Sequence, residues 1–328
     1  MKKLLSAGLC LSMFLLAGCQ GQPQDTTLTI TDQAGREVTF EEPCQTAASG
    51  YYITTTIMIG LQQQDKLTGI EMKPETRPIY AKAAEEILDL PQLGNKKMFN
   101  VEECAKADPD VVFLPVSLES YVEEIEALDI PVVLLEPETA DDFEEAVEII
   151  GKVMGCEDKV DEYKQYEEDL LEKYELDEVE EEPTVYFAGS DLLTCATDDM
   201  YQGEILSYAQ ADNAIDAEGS SWVNIDIETL LAANPDYVFI EAGSLSADDF
   251  KNDARVQELQ AVQNDHVYVF PSTLETWDTP SLSSCLGKLW AASILHPELV
   301  SMDDVEAEAV AFYEQFYGFT PEAQDLAL

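Results

Sequence analysis

The chain has 328 residues, with 67 acidic against 17 basic side chains and a formal net charge of −50. Such a surface excludes nucleic acid as a partner, because phosphate binding needs clustered Lys and Arg, and it is repelled by anionic lipid heads. An apolar content of 46% still provides cores of ordinary size, and the length suits two domains.

Lys2 and Lys3 precede an apolar run from Leu4 to Ala17, which closes on Leu16-Ala17-Gly18-Cys19. The run is too short to span a bilayer and has the length of a signal-peptide core. Small residues before a Cys at the end of such a core resemble the bacterial lipobox. In that reading residues 1–18 are a lipoprotein signal peptide, Cys19 is lipidated, and residues 19–27 form a tether. An ordinary signal peptide with a chance Cys is the alternative. A covalent anchor would explain how so acidic a protein stays at a membrane.

Residues 28–40 alternate apolar and polar around Ala34-Gly35-Arg36, which predicts a hairpin. A short strand near Thr46–Ala48 follows, then the loop Ser49–Thr55 and a helix opening in Ile53–Leu61. The runs at 66–70, 111–115 and 131–136 read as strands of a buried parallel sheet with helical pattern between them. A helix should end at Gly155, and the stretch from Glu157 to Leu176 holds no Gly or Pro and should form a stiff rod. Beyond Pro183 the rhythm restarts, with strands at 184–190, 237–242 and 266–271. Helices are expected at Gln202–Ala209, Ile227–Ala233 and Asp253–Ala261, and from Leu282 to the end. The predicted fold class is α/β: two Rossmann-like lobes, 28–155 and 183–328, with parallel-rich sheets joined by one long rigid helix at 156–178.

Five cysteines, Cys44, Cys104, Cys156, Cys195 and Cys285, are odd in number, widely separated and free of any CxxC. They suit neither a disulfide framework nor a zinc or iron–sulfur site, and read as small buried hydrophobes.

One sentence is written twice. VEECAKADPDVVF starts at Val101 and IETLLAANPDYVF at Ile227: apolar, Glu, six residues, Pro-Asp, any residue, Val-Phe. Glu102 and Glu228 fall in the first turn of a helix, with Asn100 and Asp226 as N-caps, and Pro-Asp turns each chain into a strand. First-turn acids complement the helix dipole, so position alone leaves their role open.

Lipobox, two α/β lobes, one interlobe helix and the doubled element together resemble the helical-backbone (class III) substrate-binding lipoproteins of ABC importers for iron–siderophores, haem and cobalamin. The resemblance covers about Leu28 to Gly318. It implies a site on the outer face of the cell membrane of a bacterium, Gram-positive in this reading. It also implies docking of Glu102 and Glu228 onto arginines of a permease dimer served by an ATPase, and a ligand cleft between the lobes.

Within that cleft the loops offer Tyr51, Tyr52, Arg77, Tyr80 and Phe99 from the first lobe, and Tyr201, Trp222 and Trp277 from the second. Aromatic residues in polar loops suit a large flat ligand or local packing equally. Arg77 is one of only three arginines, and a guanidinium there fits an anionic group on a ligand or a local salt bridge. The ligand expected first is an iron(III)–siderophore, then cobalamin or another corrinoid, then haem, whose iron Tyr51, Tyr80 or Tyr201 could ligate. A molybdate-type oxyanion comes last, and a surface interaction lipoprotein without transport is the reading of another class.

Two histidines, His266 and His296, and no nucleophile or nucleotide motif argue against an enzyme and against a protein-held bare metal. No covalently bound cofactor is expected.

Overall fold

A computed structural model of the protein describes residues 27–328 except 175, 177, 178, 180, 218 and 220. The leader, Cys19 and the tether up to Thr26 lie outside those residues. The chain opens on the expected hairpin, β1 (Leu28–Thr31) and β2 (Glu37–Phe40). Asp32 locks it: its carboxylate accepts from the N–H groups of Ala34, Arg36 and Leu134, so the hairpin is pinned to the lobe behind it.

The first lobe then builds β3 (Ala47–Ser49), α1 (Tyr52–Gly60), β4 (Leu67–Gly69), α2 (Pro78–Ala83), β5 (Gly94–Asn95), β6 (Met98–Phe99), α3 (Val101–Ala107), β7 (Val111–Pro115), α4 (Val122–Glu126) and β8 (Val132–Leu135). Its main sheet runs β4–β3–β7–β8, all parallel. Every residue of β7 and β8 is buried, which is why both are unbroken apolar runs rather than alternating ones.

Two helices lead across, α5 (Ala140–Met154) and α6 (Glu157–Lys173). Gly155, in the left-handed region at φ 64°, stops α5 where the sequence places a stop. The rod is therefore α6 alone, 17 residues and about 25 Å long, shorter than the expected 156–178.

The second lobe comprises β9 (Thr184–Ala188), β10 (Thr194–Cys195), α7 (Tyr201–Tyr208), β11 (Asp212–Asn213), β12 (Val223–Asn224), α8 (Ile227–Ala233), β13 (Tyr237–Ile240), α9 (Ala247–Asn252), α10 (Gln260–Gln263) and β14 (Val267–Val269). Its parallel strands run β11–β9–β13–β14, the same order as in the first lobe, and antiparallel β10 and β12 extend the sheet. The helix expected at Asp253–Ala261 does not form. Asp253 is extended, and its side chain accepts from the N–H of Arg255, a local turn that competes with helix.

The C-terminal part folds as α11 (Ser284–Leu295), α12 (Met302–Phe312), a π-helical turn at Tyr313–Tyr317 and α13 (Ala323–Leu326). It does not stay with the second lobe. Lys82 pairs with Asp325 at 2.9 Å, the Gln62 side chain donates to the Gln315 carbonyl, and the Ile79 N–H donates to the Leu274 carbonyl. On α6, Tyr163 and Tyr166 pack edge-on against Phe316, and Tyr166 also against Phe312. One continuous apolar cluster consequently runs from the first lobe through the helices into the second. All five cysteines of the described chain are free and buried, and burial pushes the Cys44 thiol up to about 12.

Candidate functional site

The two sheets present the C-terminal ends of their parallel strands to the space between the lobes, where ligands of open α/β sheets bind. On the first lobe these ends carry Tyr51 and Tyr52 after β3, Glu71 and Arg77 after β4, and Glu136 and Glu138 after β8. On the second they carry Glu241 after β13 and the loop 271–281 after β14.

Arg77 is set in place by three neighbours. Its guanidinium lies 4.0 Å from the centre of the Tyr52 ring, and its Nε lies 3.4 Å from Glu71 Oε1. Glu71 is itself buried and fixed, accepting from the Tyr80 hydroxyl at 2.7 Å and from Thr55 Oγ1 at 2.7 Å. A guanidinium held through Nε and stacked on a ring keeps its terminal nitrogens for something else. The Arg77 side chain is 35% exposed, so those nitrogens are within reach of a ligand.

The remaining charges of the cleft are acidic. Burial, then the neighbouring Glu138, raises the Glu136 carboxyl, and burial raises Glu241. Asp278, wholly buried, accepts from the Ala242 N–H at 2.9 Å through Oδ2 while Oδ1 has no partner. Burial pushes it up to about 7. Glu275 is also pushed up to about 7 by burial, and its Oε1 is likewise sealed without a partner.

The expected aromatics divide into two groups. Tyr52 and Trp222 are half-buried at the strand ends, and Tyr51 is nearly buried edge-on against Tyr52. Phe99 and Trp222 hold equivalent places. A Cβ on Gly50, just after β3, would strike Phe99, and one on Gly189, just after β9, would strike Trp222. Each lobe thus needs Gly after its first strand to seat an aromatic ring. Tyr80, Tyr201 and Trp277 lie in the packed interior, and their polar atoms serve protein partners: Glu71, Ser284 and Tyr313 respectively. In this conformation they have no face for a ligand. Tyr80 positions Arg77 through Glu71. Tyr201 belongs to the packing behind the cleft, 5.9 Å from the Lys288 ammonium. Burial works against the charge of Lys288, but Glu167 and Glu204 outweigh it and keep the group protonated.

Sequence reasoning missed Glu71, Glu136, Glu241, Glu275 and Asp278. The last two stand in GluThrTrpAspThrPro, a polar loop directly after the final parallel strand, and that position was the available signal.

The doubled element folds identically in both lobes. Asn100 and Asp226 cap α3 and α8, accepting from the N–H groups of Glu103 and Thr229 at 3.1 and 2.8 Å. Left-handed Asp108 and Asn234 end the two helices. Glu102 is 82% exposed with one surface pair, Lys106 at 3.1 Å, and Glu228 is exposed. Phe99 touches Gly50 at the cleft end of β3 and immediately precedes the Asn100 cap, so α3 begins at the cleft end of its lobe.

Residues 48–274 match the family model described as periplasmic binding protein. The chain is 23% identical over 317 residues to the molybdate-binding protein MolA of Haemophilus influenzae, covering 88% of this chain and 90% of that one. The structure of MolA bound to molybdate superposes with a TM-score of 0.76 at 22% identity, covering 90% of this chain and 99% of MolA. A periplasmic solute binding protein of Veillonella parvula gives 0.79 at 20% identity over 91% and 95%. Helicobacter pylori CeuE, in a nickel–histidine complex, gives 0.72 at 18% over 91% and 97%. At these identities the superpositions speak for the fold, two α/β lobes on one connecting helix, and the family match speaks for descent. The chain belongs to the periplasmic binding protein family, the extracytoplasmic solute-binding components of ABC transporters.

Proposed function

We propose that this protein is a lipid-anchored receptor that captures a metal chelate in the interlobe cleft, an iron(III)–siderophore first among them, and hands it to an ABC permease dimer driven by its ATPase. The supporting observation is the Arg77 guanidinium, stacked on Tyr52 and steadied by Glu71, beside half-exposed rings and in an otherwise acidic cleft. One fixed cation among carboxylates suits a ligand that is neutral or cationic as a whole and carries a single anionic group. Corrinoids and haem fit less well, because three of the expected aromatic walls are interior. No catalytic role is assigned to any residue.

Cys19 is the proposed anchor, on the outer face of a Gram-positive cell membrane, and Cys19→Ser should release the protein to the medium. Glu102 and Glu228 are the proposed docking acids. A molybdate-type oxyanion is the second reading, favoured by the Haemophilus relative. Titration calorimetry with ferric chelates, cobalamin, haemin and molybdate decides among these. If the tightest ligand is not a ferric chelate, the first reading is wrong. If no importable solute binds and uptake is unaffected by deletion of the protein, the surface-interaction reading takes its place.

A further inference from the structure

Beside Arg77, walled by both lobes, lies a cavity of about 130 Å³. A whole chelate is several times too large for it, but a group the size of a tetrahedral oxyanion or a carboxylate is not. Its first-lobe wall holds Tyr52 and Arg77, and its second-lobe wall is the loop after β14, from Ser272 to Ser281.

The donors can be counted. Arg77 spends Nε on Glu71, and no hydrogen bond or ion pair of its terminal nitrogens occurs among the described residues. Thr276 and Thr279 bond to each other through their hydroxyls, as do Ser281 and Ser283 at 3.1 Å. Two hydroxyls joined by one hydrogen bond retain one hydrogen between them, so each pair keeps a donor to give. On the opposite side Thr56 and Thr76 have already given theirs to backbone carbonyls, those of Ile53 and Lys73 at 2.8 Å each. The free donors therefore come from the guanidinium and from the loop, on two walls that face one another.

We propose that this cavity is a subsite for one compact anionic oxygen group, gripped between the terminal nitrogens of Arg77 and the hydroxyl pairs of the 271–281 loop. The proposal rests on the reading of the cleft as the ligand site and adds what part of the ligand the cleft recognises. Two sources share this chemistry: a free tetrahedral oxyanion, or a carboxylate arm of a larger chelate whose body stays outside, toward Trp222.

Glu275, in the same loop, gives the subsite a pH signature. Tyr317 reaches its Oε2 at 3.4 Å, and the Ser283 and Tyr313 hydroxyls also lean on it, but no cation does. Arg77 stands across the cavity, already paired with Glu71. Asp278 and Glu241 lie further along the second-lobe wall, and Tyr52 faces from the first. Near neutrality and below, the Glu275 carboxyl is uncharged and leaves the field of Arg77 intact. As pH rises through about 7 it ionises and adds a negative charge to the wall of an anion site.

The test is calorimetry on the purified protein with molybdate and sulfate as free oxyanions, ferric citrate as a carboxylate chelate, and ferrichrome as a chelate without carboxylates. The subsite predicts that an anionic probe binds, weakens several-fold between pH 6 and 8, and loses at least about tenfold in Arg77→Gln. Arg77→Lys should recover only part, since an ammonium lacks the fork. Glu275→Gln should abolish the pH slope, and this second variant does not depend on the first remaining folded. Binding of molybdate or sulfate identifies a free anion, while binding of ferric citrate alone identifies an arm. The proposal is overturned if no anionic probe binds. It is equally overturned if ferrichrome binds and Arg77→Gln leaves it unchanged, or if affinity grows with pH and vanishes in Glu275→Gln, the mark of a cation site. Each of those outcomes leaves delivery to a permease standing, because that is tested separately by uptake with the docking acids replaced.

Discussion

Thr46 and Asp110 hold each other reciprocally. The Asp110 N–H donates to Thr46 Oγ1 at 3.0 Å, and Asp110 Oδ2 accepts from the Thr46 N–H at 2.8 Å. Thr184 and Asp236 repeat the exchange in the second lobe, at 3.1 and 3.0 Å. In both lobes the Asp of Pro-Asp opens the strand after the repeated helix, and the Thr lies at the start of the lobe's first strand. Much of the doubled sequence is thereby explained as architecture: it clamps the two central strands of each sheet in register.

Asp110→Ala and Asp236→Ala should each cost about 1–3 kcal/mol, since each leaves backbone N–H groups at a strand entrance without their acceptor. Denaturant unfolding measures it. The clamps lie in different lobes and share no partner, so the two losses should add within about 0.5 kcal/mol. A cost below a few tenths for either would mean that water replaces the carboxylate freely.

The clamp accounts for Pro-Asp and leaves Glu unexplained. Neither Glu102 nor Glu228 closes a structural contact beyond the surface pair with Lys106. Glu102→Ala with Glu228→Ala should therefore leave the melting temperature and ligand affinity where they are, while solute uptake through the permease falls by at least about tenfold. Uptake at the native rate in the double variant would remove docking from these acids and return them to plain helix-dipole partners.

The lobe plan was readable because each of its signals is local or periodic. The unbroken runs at β7 and β8 report burial on both sides, Gly155 reports a helix end, and the doubled element reports the second sheet. The cleft was only half readable. Arg77 stood out by rarity, but Tyr80 and Trp277 look in sequence like loop aromatics and are in fact interior, because chains far away, Glu71 and the turn at Tyr313, receive their polar atoms. The acids of the cleft were invisible for the opposite reason. Among 67 carboxylates, Glu71, Glu275 and Asp278 are distinguished only by what surrounds them.

Those buried acids make stability depend on pH in an unusual sense. Glu275 and Asp278 hold folded values of about 7, above the ordinary carboxylate range of the unfolded chain. Between roughly pH 4 and 7 the folded state keeps protons that the unfolded state has lost, so stability falls as pH rises through that window and levels off above it. The loss is on the order of a few kcal/mol for the pair, because each tenfold difference in proton affinity between the two states is worth about 1.4 kcal/mol. Urea unfolding should show a midpoint that declines from pH 5 to pH 8. Asp278→Asn, which keeps an acceptor for the Ala242 N–H, should be more stable than the native protein at pH 8 and show a shallower slope. A midpoint that rises over the same range would mean the two acids are ionised in the folded state.

The connecting helix sets how far the lobes can travel. A Cβ on Gly151 would lie 2.4 Å from a methyl of Val160, so α5 and α6 are already in close contact where the first lobe ends. Further along, Tyr163 and Tyr166 are wedged against Phe312 and Phe316, and Lys82 reaches across to Asp325. A wide hinge would have to break that packing, whereas a rocking of a few degrees shares small shifts over many contacts. Small-angle scattering of the protein with and without its ligand should give superimposable curves. Gly151→Ala should cost about 1–3 kcal/mol by forcing the two helices apart, with ligand affinity falling less than stability. Compaction on binding comparable to the closure of a hinged two-domain receptor would show instead that α6 bends, and the rigid coupling of the two lobes would have to be given up.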